Sequence, residues 1–125
     1  MSAPDSKVIY SSTARTADPT RHPESRGNAV ALYLVVDVTA VSVTPSVVPK
    51  ILIKNAAGVD LDLLGASAIT GVGTTVYHVG YAEIATPGGD VTVSRGVALP
   101  ESFEVFMDHA DADSITYSVE LITVL

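Results

Sequence analysis

"NAVALYLVVDVTAVSV", residues 28–43, decides the fold class of this chain. Val30, Leu32, Leu34, Val36 and Val38 share one parity, while Ala31, Tyr33, Val35, Asp37 and Thr39 share the other. A strand turns successive side chains to opposite faces. This period of two therefore predicts a long strand, buried on one face and half-buried on the second. A helix needs apolar positions about 3.6 residues apart, and no window of helical length shows them without Gly or Pro inside.

Further strands are predicted on both sides of this one. "KILIKN" (50–55), "VDLDLL" (59–64), "GTTVYHVGYAE" (73–83), "SFEVFMD" (102–108) and "SITYSVELITV" (114–124) carry short apolar runs, several of them alternating, and turn residues separate them. "TPSVVP" (44–49) places Pro45 and Pro49 away from any central strand position, and "TPGGD" (86–90) reads as a turn. About eight short strands of this kind predict an all-β fold, an antiparallel β-sandwich or barrel. Val36, Val38, Ile51, Ile53, Val105, Tyr117 and Val119 are its expected core.

Residues 1–28 differ from the rest. "STARTADPTRHPESRGN" (12–28) is polar and has no apolar period, so the segment reads as an extended N-terminal arm, opened by a short strand at "KVIYSS" (7–12). The expected organisation is an arm over 1–28 and a β-sandwich domain over 29–125 that folds without it. An arm this polar cannot order itself on a core of its own and would lie on the body, a sister subunit or a partner. Arg15, Arg21 and Arg26 are the candidate partner-binding residues, because a guanidinium meets a carboxylate with paired hydrogen bonds.

Charge sharpens that contrast. The chain of 125 residues has a net charge of −7. Lys7, Arg15, Arg21 and Arg26 outweigh Asp5, Asp18 and Glu24 before residue 29, whereas Lys50, Lys54 and Arg95 face all the remaining acids after it. An acidic body repels phosphate backbones, so nucleic acid is not an expected partner. The longest apolar run, "AVALYLVV" (29–36), is too short to span a bilayer, and "MSAPDSKVIYSS" has no apolar signal core. The expectation is a chain made in a cytoplasm with no membrane partner. With no cysteine, neither a disulfide nor a thiolate metal site is available.

Catalytic patterns are poorly represented. "GVG" (71–73) lacks the third glycine of a dinucleotide fingerprint, and "GASAI" (65–69) lacks the closing glycine of a nucleophile elbow. His22, His78 and His109 lie in unrelated segments, and His78 reads as a packed or surface histidine. No enzyme activity and no cofactor are expected. "DHADADSITYSVELI" (108–122) gathers Asp108, His109, Asp111 and Asp113. Calcium wants about six to eight oxygens in a longer acidic frame with a glycine. The runs on either side both alternate, so the acidic stretch is expected to be a hairpin tip.

Three stretches in order, "VVDVTAVSVTPSV" (35–47), "LLGASAITGVGTTV" (63–76) and "LPESFEVFMDHADADSITYSV" (99–119), together with the opening "RGNAVALYLVVDV" (26–38), resemble small β-rich virion proteins of tailed bacteriophages. The resemblance implies a structural role in the virion. The expected form is a decoration protein bound to the major capsid protein on the outside of the shell, acting as a homo-oligomer with a trimer favoured. The alternatives are a tail, neck or fibre component and, in a different class, an adhesin-like sandwich that binds glycans or calcium.

Overall fold

The computed structural model describes residues 5–80 and 89–125. Residues 1–4, the end of the strand predicted at 73–83 and most of the turn predicted at 86–90 lie outside them. Nine strands are described: β1 (Asp5–Arg15), β2 (His22–Ser25), β3 (Ala31–Val41), β4 (Val47–Lys54), β5 (Asp60–Asp62), β6 (Gly73–Gly80), β7 (Val93–Arg95), β8 (Ser102–His109) and β9 (Ile115–Val124). They form two sheets, one in the order β1-β9-β3-β6-β7 and the other in the order β2-β8-β4-β5. The fold is a β-sandwich, as the alternation predicts. One pairing departs from the antiparallel expectation, since β7 runs parallel to β6.

The core forms where the inward parities of the two sheets meet. Leu32, Leu34, Val36 and Val38 of β3 are buried, as are Ile115, Tyr117, Val119 and Leu121 of β9. Val47 and Ile51 of β4 and Phe103, Val105 and Met107 of β8 face them from the second sheet. A fully buried Val, Leu or Ile contributes about 1.5–3 kcal/mol relative to an exposed one, so these alternating rows drive assembly. Two expected inward residues fall short. Val30 precedes β3 and is 62% exposed, and Ile53 is only partly buried, near the end of β4.

The segment read as an arm is extended, but it runs inside the sandwich. β1 pairs along β9 from Asp5↔Thr123 to Arg15↔Ile115, and β2 pairs with β8. Residues 5–25 thus supply one edge strand to each sheet, which moves the domain boundary expected at residue 28. Tyr10 explains why: its ring is buried in the core and its hydroxyl lies 2.6 Å from the Thr20 carbonyl and 3.1 Å from that of Val105. One aromatic residue and backbone pairing do what a longer apolar period does elsewhere. Irregularities flank Tyr10 in the β1 register. Such bulges disturb an edge and limit further strand addition.

The acidic stretch 108–113 is not a hairpin tip. β8 pairs with β2 and β4, whereas β9 pairs with β1 and β3, so the chain crosses from one sheet to the other between them. Alternation on both flanks fits an arch as well as a hairpin, because either arrangement buries every second residue. A true hairpin joins β4 and β5, where Asn55 Oδ1 accepts hydrogen bonds from the N–H groups of Ala57 and Val59. Gly58 in that turn has φ 81°, the left-handed conformation that glycine adopts without steric cost.

Pro49 lies within β4, an inner strand, yet its ring costs no ladder bond. Val47 N–H donates to Ile69 and Ile51 N–H to Asp62 Oδ1, so the residue midway between them faces the same side. β5 pairs only with Leu52–Lys54 and does not reach Pro49. The strand is locally an edge there, which is where proline is tolerated.

Candidate functional site

The three candidate arginines do not gather. Arg15, at the end of β1, lies over the Tyr117 ring at 4.6 Å and the Tyr10 ring at 5.8 Å. It also donates to the carbonyls of Tyr117 (2.7 Å), Ser11 (2.8 Å) and Thr13 (3.1 Å). Arg21 sits over Phe106 and pairs with Asp60 at 3.0 Å and Glu104 at 3.7 Å. Arg26 pairs with Glu101 at 3.1 Å. Each guanidinium thus binds a different part of its own chain, and the three do not form a common anion-binding patch.

Other polar side chains close both open sides of the sandwich. On the β1–β2 side, Lys7 Nζ meets Glu24 Oε1 at 2.6 Å, and the Tyr10 hydroxyl reaches across the sheets. On the β7–β5 side, Arg95 donates to the carbonyls of Leu64 and Gly65. Desolvation raises the Tyr10 pKa, although Arg15 pulls it down, so the hydroxyl stays protonated and able to donate. Burial raises that of Tyr117 further.

His109 closes the arch between β8 and β9. Its Nε2 lies 2.8 Å from the Tyr117 hydroxyl, and its backbone N–H donates to Asp18 Oδ1 at 2.6 Å. Burial holds its pKa below the ordinary histidine value, with Arg15 acting in the same direction and Asp18, Asp108 and Asp111 opposing. His78 is buried, with Nδ1 3.0 Å from Ser94 Oγ and its ring against Tyr33. That matches a packed histidine.

The acidic stretch is tied into its surroundings. Asp108 pairs with Lys50 at 2.8 Å, and Asp113 Oδ2 accepts from the N–H and the hydroxyl of Thr44. Asp111 Oδ1 accepts from the N–H of Asp113. Among the described residues, no three His, Asp or Glu side chains are grouped to hold a metal ion.

The two ends of the sandwich differ. Near the ends of β2 and β8, an open cleft of about 950 Å³ is lined by Lys7, Glu24, Ile53, Lys54, Glu101 and Phe103, among others. At the opposite end, four connections come together, 16–21, 42–46, 63–72 and 110–114. Val41, Val43 and Val72 stand out there at 38%, 83% and 66% exposure. Sequence reasoning missed this end. Val41 and Val43 continue an apolar run that, by parity alone, looks like more strand, and Val72 stands in a Gly-Val-Gly stretch that reads as a turn.

Comparison of the chain with protein-family models, with curated proteins and with solved structures finds no match.

Proposed function

We propose that this chain is a structural protein of the tailed-bacteriophage virion, a decoration protein that binds the outer surface of the capsid shell and stabilises it. The observation that carries the reading is the bracing of the sandwich. Lys7, Tyr10, Arg95 and Tyr117 clamp the sheets together at both open sides and at the β8–β9 arch, through Lys7–Glu24, Tyr10–Val105, Arg95–Leu64 and His109–Tyr117. Such a body suits a part whose task is to hold its shape on a particle. The resemblance of most of 26–122 to small β-rich virion proteins points the same way, and a homo-oligomer, with a trimer favoured, fits a shell built on symmetry.

The open cleft beside Phe103 favours a second reading, an adhesin-like sandwich that takes a glycan or similar ligand there.

Co-sedimentation of the purified chain with undecorated capsids separates the two. Saturable binding that raises the temperature of capsid disruption is expected. Absence of binding, together with retention on a glycan array, would replace the first reading by the second. Light scattering of the free chain tests the oligomer.

A further inference from the structure

We infer that the end of the sandwich carrying Val41, Val43 and Val72 is the docking face, and that it seats on a protein surface with an apolar centre rimmed by Lys or Arg. The inference deepens the virion reading and rests on it for the identity of the partner, the capsid shell.

Topology brings the parts together. β3 ends at Val41, opposite Ile115 at the start of β9, and Val38 lies opposite Gly73 at the start of β6. Val72 therefore enters the sheet beside the last turnward residues of β3, and Val43 follows two residues after Val41. Three exposed valines at one end of a sheet form an apolar patch, whereas isolated ones are unremarked on any surface.

Val43 is also held in an unusual way. Its φ is 58°, which disfavours a β-branched side chain, and it is the only non-glycine with positive φ among the described residues. Its neighbours fix it: Ser42 N–H donates to the Ser114 carbonyl at 2.9 Å, and Thr44 N–H to Asp113 Oδ2 at 3.2 Å. The side chain is thus presented to solvent from a pinned backbone, at a cost in strain that the isolated fold does not require.

Charge completes the argument. The connections 16–21, 42–46, 63–72 and 110–114 contain Asp18, Asp111 and Asp113 and one cation, Arg21, which is turned to Asp60 and Glu104 of the β2-β8-β4-β5 sheet. None of the three carboxylates forms an ion pair among the described residues, whereas Asp60, Glu104 and Asp108 on the β2-β8-β4-β5 sheet all do. Arg15, at the adjoining end of β1, is engaged with the carbonyls and rings of its own chain, and Arg95 with the carbonyls of Leu64 and Gly65. An apolar patch rimmed by carboxylates that pair with no cation among the described residues complements a basic-rimmed one, and it opposes a second copy of the same face.

The test uses the full chain and undecorated capsids. A Val43→Asp, Val72→Asp double variant should keep the wild-type melting temperature and bind capsids at least about tenfold more weakly. Asp111→Lys should bind more weakly and flatten the salt dependence, while Leu61→Asp at the other end should bind as wild type. Val43→Gly should melt higher than wild type and still bind less well. Wild-type binding by the valine variants, or weakened binding only in Leu61→Asp, would overturn the inference while leaving the virion reading intact. A change in oligomer mass in the valine variants would identify a second copy as the occupant and equally overturn it.

If wild-type protein does not bind capsids, the virion reading fails and a second measurement decides the docking face. A photo-crosslinking amino acid placed at 72 or at 122 is expressed in the native host, and the joined peptides are sequenced. Recurrent crosslinks from 72 to one segment of one protein, apolar at its centre and flanked by Lys or Arg, sustain the inference. Crosslinks from 122 alone, or none from 72, overturn it.

Discussion

The Nε2 atom of His109 lies 2.8 Å from the hydroxyl of Tyr117, joining the last residue of β8 to a strand of the opposite sheet. The pair clasps the arch where the chain leaves one sheet for the other. Its energetics depend on pH because burial lowers the histidine pKa in the folded state.

With a native pKa below the unfolded value of about 6.5, the unfolded chain takes up the proton first as pH falls. The contribution of His109 to stability is complete above that value and declines as pH falls from it through the native pKa. Urea denaturation at a series of pH values should show this loss in the wild type and a flatter profile in His109→Gln. A His109 resonance titrating at or above about 6.5 would contradict the assignment.

Tyr10 makes the N-terminal segment part of the fold. Tyr10→Ala should cost about 3 kcal/mol, as expected for removing a buried aromatic ring. Tyr10→Phe, which keeps the ring and loses the hydroxyl's hydrogen bond, should cost about 1 kcal/mol. Deletion of residues 1–28 removes both edge strands and should abolish cooperative unfolding. A truncated chain with a wild-type denaturation curve would restore the reading of a dispensable arm.

Asp111 and Asp113 should separate on mutation. Asp113→Ala frees the Thr44 N–H and hydroxyl and should lower stability by about 1 kcal/mol. Asp111→Ala removes one bond inside an exposed loop and should change stability by less than about 0.5 kcal/mol. Calcium or a chelator should leave the melting temperature unmoved, because Asp113 and Asp108 are directed to Thr44 and Lys50. A calcium-dependent rise of several degrees would refute that.

Gly80 lies opposite Ala31 in the β3–β6 ladder, and a Cβ added to it would come within 2.7 Å of the Ala31 methyl carbon. Gly80→Ala should destabilise by about 1–3 kcal/mol, the usual range for overpacking. Adding Ala31→Gly removes the closest contact and should recover part of the loss. Strictly additive single and double variants in a thermodynamic cycle would show that the two positions do not press on each other.

The sequence by itself determined the local state of the chain. A period of two at 30–38, 102–108 and 114–122 states that these segments are strands and which side chains turn inward, and Val36, Val38, Ile51, Val105, Tyr117 and Val119 are buried accordingly. Side-chain parity is a property of one strand and carries that much. It does not say which strand lies alongside, so 108–113 reads as a hairpin although β8 and β9 belong to different sheets. Only the tertiary structure decided that partition, the parallel seat of β7, and the entry of residues 5–25 through Tyr10 and backbone pairing. It also scattered Arg15, Arg21 and Arg26 onto separate carbonyls, rings and carboxylates. The physical reason is range: pleat alternation is set by neighbouring residues, whereas edge pairing, cross-sheet clamps and the gathering of Val41, Val43 and Val72 join residues distant in sequence.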